Sequence, residues 1–274
     1  MTFTRLVRFI HEGVTHYGDL VECTDKGFYV RKLAGSVTGS FTNTSEENIL
    51  VDQLLCPIES VPIFQCIGLN YRKHAKEASL EIPKYPVVFT KPADALAGFG
   101  ENIPVCSGAQ PMLDYEGELT VIVGKDCKDL LAEFDLAEYV LGYTAGNDVS
   151  ARNYQLPEAS GSQFCYAKSF DKFAPIGPWI TSPRVIQDPQ ELRFVTRVNG
   201  EIMQETGTDD MIWSVKQIMV HLSRGTTPRA GTAIMTGTPA GVGFFRKQFL
   251  ASGDKVEVEI EGEMTLVNTI KFEK

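Results

Sequence analysis

Three carboxylates alternate in Asp114-Tyr115-Glu116-Gly117-Glu118, and the apolar run Leu119-Thr120-Val121-Ile122-Val123 follows without a break. Such a run predicts a strand entering a core, and its period of two puts Asp114, Glu116 and Glu118 on one face. Same-face neighbours on a strand lie roughly 6.6 Å apart. At an effective dielectric of about 20, each adjacent pair of like charges repels by about 2.5 kcal/mol. Open solvent can screen such a row, so a solvated acidic edge strand is one reading. Beside a buried strand the remedies are a raised pKa or a bound cation. All-oxygen ligands select a hard ion, Mg2+, Mn2+ or Ca2+, over zinc. This stretch by itself leaves both readings open.

The wider sequence sets limits. Its 274 residues can bury a sizeable core, as one large domain or one plus a small appendage. No apolar run reaches the roughly 18 residues of a membrane span, and residues 1–6 lack a signal-peptide h-region. A cytoplasmic protein with no membrane partner is therefore expected. The six cysteines (Cys23, Cys56, Cys66, Cys106, Cys127, Cys165) form no CxxC pair and are expected as buried, reduced thiols. A net charge of −9 argues against nucleic acid as a partner. It also requires that cations be gathered locally if the substrate is an anion.

Short β-like runs at 5–10, 18–23 and 28–33 are followed by a polar stretch, 35–48, and a further run at 49–55. Residues 1–60 are expected to form a small N-terminal β-rich unit, too thinly apolar to stand alone. Across 61–274 stronger strands are predicted at 64–69, 86–90, 119–123, 139–146, 192–198, 232–236 and 255–260. Asn199-Gly200 signals a two-residue hairpin. Ile212, Val215, Ile218, Met219 and Leu222 make a helical stripe that Gly225 stops. The order of elements predicts a mixed α/β, β-rich fold of sandwich or barrel type.

Several side chains stand out singly. Asp148 falls just past a strand end, where it could serve a site or merely cap a turn. Lys168 lies among aromatic and small residues, and Lys91 ends an apolar strand, where a lone lysine is usually solvated. The turn Gly237-Thr238-Pro239-Ala240-Gly241-Val242-Gly243 exposes backbone N–H groups that suit an oxyanion or carboxylate. His74 and Glu77 stand three apart on a short helix, within hydrogen-bonding reach. That spacing serves a general base or an exposed ion pair. His221 is expected in packing.

Six motifs occur in a fixed order: Cys66-Ile67-Gly68-Leu69-Asn70-Tyr71 with His74, Phe89-Thr90-Lys91-Pro92, Asp114 to Leu119, Asn147-Asp148-Val149-Ser150-Ala151-Arg152, Ala167-Lys168-Ser169-Phe170-Asp171, and Thr236 to Gly243. In this register the sequence resembles the fumarylacetoacetate hydrolase family, especially its acylpyruvate hydrolases and oxaloacetate decarboxylases. The resemblance runs from about Pro62 to the C-terminus. It implies a β-sandwich roll binding one Mg2+ or Mn2+, usually within a homodimer, with a catalytic domain at 61–274. The implied metal ligands are Glu116, Glu118 and Asp148, with Asp114 outside the set. His74 and Glu77 match the catalytic dyad on a lid segment, and Lys168 the active-site lysine. Lys91, Arg152, Gln155 and Thr238 match groups around a small anionic 2-oxo acid. Gly117 sits at a position that varies in the family, and its small size carries no message here.

The implied reaction is hydrolysis of the C–C bond of an acylpyruvate-like 2,4-dioxo acid. The dyad would activate water, the C3–C4 bond would break, and Lys168 would balance the charge of the pyruvate enolate. Oxaloacetate decarboxylation and keto–enol tautomerisation or isomerisation are alternatives on the same site. A metal-stabilised binding protein without turnover is a lesser alternative, disfavoured by the intact dyad. Phe99, Phe164 and Phe244 are candidate pocket walls.

Overall fold

Period-two patterning resolves into strands along most of the chain, seen in a computed structural model that describes residues 2–274. The first strands are β1 (Arg5–His11), β2 (Val14–Thr24), β3 (Gly27–Gly35), β4 (Phe41–Val51) and β5 (Leu54–Leu55). Then come β6 (Phe64–Gly68), α1 (Arg72–Glu77), β7 (Val87–Lys91), β8 (Leu96–Ala97) and β9 (Asn102–Val105). The middle supplies β10 (Leu113–Asp114), β11 (Gly117–Val123), α2 (Leu136–Tyr139), β12 (Val140–Asn147), β13 (Ser150–Ala151), α3 (Pro157–Ser160), α4 (Cys165–Lys168) and β14 (Ala174–Thr181). The last part gives β15 (Arg193–Val198), β16 (Glu201–Gly207), α5 (Val215–Ser223), β17 (Ala233–Met235), α6 (Gly243–Arg246), β18 (Lys255–Ile260) and β19 (Met264–Phe272).

One long sheet runs in the order β4-β3-β2-β1-β14-β12-β11-β17-β6-β7. Its centre is packed on both faces: every residue of β11, β12 and β14 is buried. The N-terminal strands join it where Arg5 pairs with Thr181 and Leu6 with Ile180. A second sheet, β16-β15-β18-β19-β9, packs across it. Val121, Tyr143 and Ala145 of the first sheet share a core with Phe194, Val258, Ile260 and Leu266 of the second. The strand-rich sandwich agrees with the fold class the sequence predicts. No helix among the described residues is long and apolar enough to cross a membrane.

Three local expectations change. The polar stretch 35–48 holds most of β4, which pairs with β3 through Gly35↔Phe41, Ala34↔Thr42 and Leu33↔Asn43. At the sheet edge Thr42, Asn43 and Thr44 are exposed, so backbone pairing makes a strand with no hydrophobic alternation to announce it. The helical stripe begins later than Ile212: Ser214 caps α5, accepting from Gln217 N at 3.3 Å and donating its own N–H to Gln217 Oε1 at 2.9 Å. Of the six cysteines only Cys56, Cys66 and Cys127 are buried, and all six are free thiols. The Asn199-Gly200 turn does join β15 to β16, with φ of 52° and 83°.

Gly117 proves constrained after all. A Cβ built on it would fall 1.9 Å from Thr196 Oγ1, while its N–H donates to Gln204 Oε1 at 3.0 Å. The second sheet thus presses on the backbone between the two glutamates. Gly117→Ala should lower stability by about 1–3 kcal/mol, the usual range for overpacking. Adding Thr196→Ala should restore much of the loss. Urea midpoints of the two variants test this; an unchanged midpoint for the single variant would show that the contact relaxes freely.

Candidate active site

Antiparallel register assembles the site. Gly117 pairs with Asn147 and Glu118 with Gly146, so the start of β11 lies against the end of β12. Asp148, the next residue, therefore arrives beside the two glutamates. Glu116, Glu118 and Asp148 each bring a carboxylate oxygen within 4.8 Å of the others, and all three are buried. Asp114 faces elsewhere and takes Arg152 Nε at 2.8 Å. The expected shared face holds for Glu116 and Glu118 but not for Asp114: β10 ends at Asp114 and β11 begins at Gly117, and the break in the strand turns Asp114 away.

Besides a raised pKa or a bound cation, the structure uses a third remedy for the repulsion: buried side-chain cations. Lys168 Nζ lies 2.9 Å from Glu116, 2.7 Å from Asp148 and 2.7 Å from Ser150 Oγ. Arg152 contacts Glu116 at 2.5 Å and donates to Gln155 Oε1 at 2.7 Å. Lys91 is 1% exposed, pairs with Asp148 and donates to Val149 O and Phe173 O. It is thus not the solvated strand-end lysine that its sequence position suggests, because Asp148 draws it inward. Nor does it line the cavity where substrate would bind.

Four carboxylates (Asp114, Glu116, Glu118, Asp148) thereby face three cations (Lys91, Arg152, Lys168). The excess falls on Glu118, whose Oε2 accepts Gly237 N at 2.7 Å and, among the described residues, no other donor. Burial, then Asp148 and Glu116, push its carboxyl well above the ordinary range. Burial also opposes ionisation of Glu116, but Lys168 and Arg152 outweigh it and hold that carboxyl at about 2. An all-oxygen donor set carrying unmatched negative charge fits a hard divalent ion.

The glycine-rich turn behaves differently from expectation. Its N–H groups go to the protein's own acids: Gly237 to Glu118, Gly241 to Glu77 at 3.0 Å, and Gly243 to Asp114 at 2.7 Å. The buried carboxylates of Glu118 and Asp114 demand donors, and this loop supplies them, while the exposed Glu77 takes a third N–H at the surface. Thr238 Oγ1 donates to Gly117 O at 3.0 Å and accepts from Gln204 Nε2 at 2.8 Å.

A cavity of about 320 Å³ opens above the acids, lined by His74, Glu116, Arg152, Gln155, Lys168 and Thr238 with apolar walls that include Phe89, Phe164, Phe244 and Phe245. Glu118 and Asp148 lie beneath, 2% and 0% exposed. His74 Nδ1 is 3.0 Å from Glu77 Oε2, so the pair predicted from spacing is formed. Phe99 does not line this cavity; it sits in a separate groove with Phe28 and Trp179. His221, half-buried, stacks on Tyr85.

Two supporting residues escape a sequence reading. Gln204 ties Gly117 N to Thr238 and to Pro239 O, yet it sits in an ordinary amphipathic strand. Asn70 donates to Thr236 O at 2.7 Å and accepts Trp213 N at 2.8 Å, fastening the approach to α1. Asn70 belongs to the first motif, so its place was marked although its role was not.

The family model for the fumarylacetoacetate (FAA) hydrolase C-terminal domain matches residues 64–271. The chain belongs to the fumarylacetoacetate hydrolase family, and it is an enzyme. It is 39% identical over 267 residues to the oxaloacetate tautomerase YisK of Bacillus subtilis (strain 168), covering 92% of this chain and 86% of that protein. It is 44% identical over 232 residues to a fumarylacetoacetate hydrolase domain-containing protein 2 homolog of Dictyostelium discoideum, across 80% of this chain and 74% of the other. The crystal structure of 2-hydroxyhepta-2,4-diene-1,7-dioate isomerase from Mycobacterium marinum superposes with a TM-score of 0.84 at 34% identity, covering 98% and 99% of the two chains.

Glu118 yields a pH prediction. An unfolded glutamate ionises near pH 4.3, whereas the buried Glu118 keeps its proton to higher pH. Its contribution to stability is therefore full below about pH 4.3 and is lost as pH rises through the raised folded value. In EDTA, wild-type stability should fall relative to Glu118→Gln as pH rises above about 4.3, the unfolded value. Excess Mg2+ should restore about 2.7 kcal/mol at a hundredfold its Kd, and only in wild type. Thermal melts across that range, with and without Mg2+, check both statements.

Proposed function

We propose that the chain is a Mg2+-dependent enzyme, with Mn2+ able to substitute, that interconverts the keto and enol forms of an oxaloacetate-type 2-oxo acid. The observation that carries the reading is one cavity lined at once by His74, Glu116 and Lys168, over two further buried carboxylates. The tautomerase and isomerase names of the relatives favour this reaction over the C–C bond hydrolysis expected first. Glu116, Glu118 and Asp148 would hold the ion, which when bound supplies a Lewis acid for the substrate's carboxylate and 2-oxo oxygens.

The chain's own groups do the rest. An added divalent charge turns the unmatched negative charge of the site into a positive one, which draws in a dianionic substrate despite the net charge of −9. Arg152, Gln155 and Thr238 orient it from the cavity wall. His74, its ring fixed by Glu77, carries one proton between two atoms of the substrate: it takes the proton from C3 of the keto form and delivers it to the 2-oxo oxygen to give the enol, and the reverse transfer regenerates the ketone. Lys168 faces the negative charge that grows on the 2-oxo oxygen as that proton leaves. No water enters this exchange, so apolar walls that exclude solvent suit it. A homodimer, which the family resemblance implies, is part of the proposal.

A second reading, hydrolysis of an acylpyruvate, draws on the intact His74–Glu77 pair and on phenylalanine walls that could take an acyl chain. Ultraviolet decay of oxaloacetate enol, release of pyruvate from oxaloacetate and release of acetate from acetylpyruvate separate the reactions. Enol–keto exchange should be accelerated with Mg2+ and lost in EDTA, and His74→Ala should lower kcat by about 10²–10⁴-fold. Acetate release with no acceleration of the exchange would reverse the order of the two readings. Equal exchange rates in His74→Ala and wild type would remove His74 as the base.

A further inference from the structure

Asp114 belongs to the acidic row, yet neither the ligand set nor the reaction employs it. It is fully buried, and its carboxylate accepts four hydrogen bonds. Oδ1 takes Tyr115 N at 2.8 Å and Gly243 N at 2.7 Å. Oδ2 takes Phe244 N at 2.9 Å and Arg152 Nε at 2.8 Å. The approach is built closely: a Cβ on Gly243 would fall 2.6 Å from Oδ1.

Arg152 is consequently divided three ways. Nε goes to Asp114, Nη1 to Gln155 and Nη2 to Glu116 Oε1. A guanidinium free to choose grips a carboxylate with two parallel N–H groups. Here the nitrogen needed for a side-on fork at Glu116 is held by another acid, so Arg152 meets Glu116 through one nitrogen only. The other oxygen of Glu116 faces Lys168 at 2.9 Å.

We propose that Asp114 is a positioning residue: by holding Arg152 Nε it prevents a two-nitrogen grip on Glu116 and so keeps that carboxylate available to a divalent cation. The inference rests on Glu116, Glu118 and Asp148 being the ion's ligands.

Calorimetric titration of Mg2+ into EDTA-stripped, dialysed protein tests it, using wild type, Asp114→Asn, Arg152→Met and the double variant. Asparagine keeps an acceptor for Tyr115 and Gly243 but loses the charge that holds Arg152. Asp114→Asn should weaken Mg2+ binding at least tenfold. The same change in the R152M background should alter it less than threefold, because the competing guanidinium is gone. Arg152→Met alone should bind Mg2+ more tightly than wild type. A tenfold loss that persists undiminished in the R152M background would mean that Asp114 acts through its own charge, and would overturn the proposal. Unchanged affinity in Asp114→Asn would overturn it while leaving the ligand assignment standing. Absence of Mg2+ binding to wild type would overturn both. If Asp114→Asn does not fold, Arg152→Met decides: affinity no tighter than wild type overturns the proposal.

Discussion

Unmatched negative charge buried at the start of β11 is the constraint around which this molecule is arranged. Moving an ion out of water costs several kcal/mol even after the protein relaxes, and like charges beside it add to the cost. Lys91, Arg152 and Lys168 offset most of it, each nearly or wholly buried. The glycine-rich turn contributes N–H groups to Glu118, Glu77 and Asp114. What is left over sits on Glu118, which among the described residues has a single backbone donor and no ion pair of its own. A divalent ion is the simplest group that completes such a site.

The sheets hold the acids together against their repulsion. Glu116 and Glu118 lie at one end of a strand buried along its whole length, and Asp148 follows its equally buried neighbour. Both faces of these strands are packed, so slipping the register by one residue would set every side chain against the wrong neighbours, and the packing fixes where the carboxylates go. From the other side, Thr196 abuts Gly117 and Gln204 clasps its N–H. The backbone between the glutamates is thus held from two sheets at once. Rigidity of this kind keeps mutually repelling groups close enough to share one ion.

The sequence made much of this visible, and for identifiable reasons. Alternating acids before an unbroken apolar run mark Glu116 and Glu118, because period two and burial are local properties of a strand. His74 and Glu77 are legible because a helix brings i and i+3 together. Asp148 was ambiguous alone; only the pairing of β11 with β12 puts it beside the glutamates. Lys91 and the turn at 237–243 were misread for the same reason. Each position looked ready to face solvent or ligand, and the acids that claim it come from distant segments. Edge strand β4 had no hydrophobic alternation to show, since hydrogen bonding to β3 alone defines it. Gln204 is silent for another reason: a buried amide serving backbone groups on a second sheet leaves no periodic trace.

Charge and wall play separate parts in what such a site can do. Glu116, Arg152 and Lys168 on the cavity floor suit any 2-oxo acid whose reaction builds negative charge on the 2-oxo oxygen. Tautomerisation and C–C bond hydrolysis share that requirement. They part over water, which hydrolysis needs at the distal carbonyl and proton exchange does not. The base proposed for both is His74, since an imidazole can act on a C–H bond or on a water. Apolar groups stand around the histidine: His74 packs against Phe245, and Leu80, 58% exposed, lines the same cavity. In the proposed reactions the charged groups therefore bear on affinity, and the apolar walls on whether water reaches the distal carbonyl.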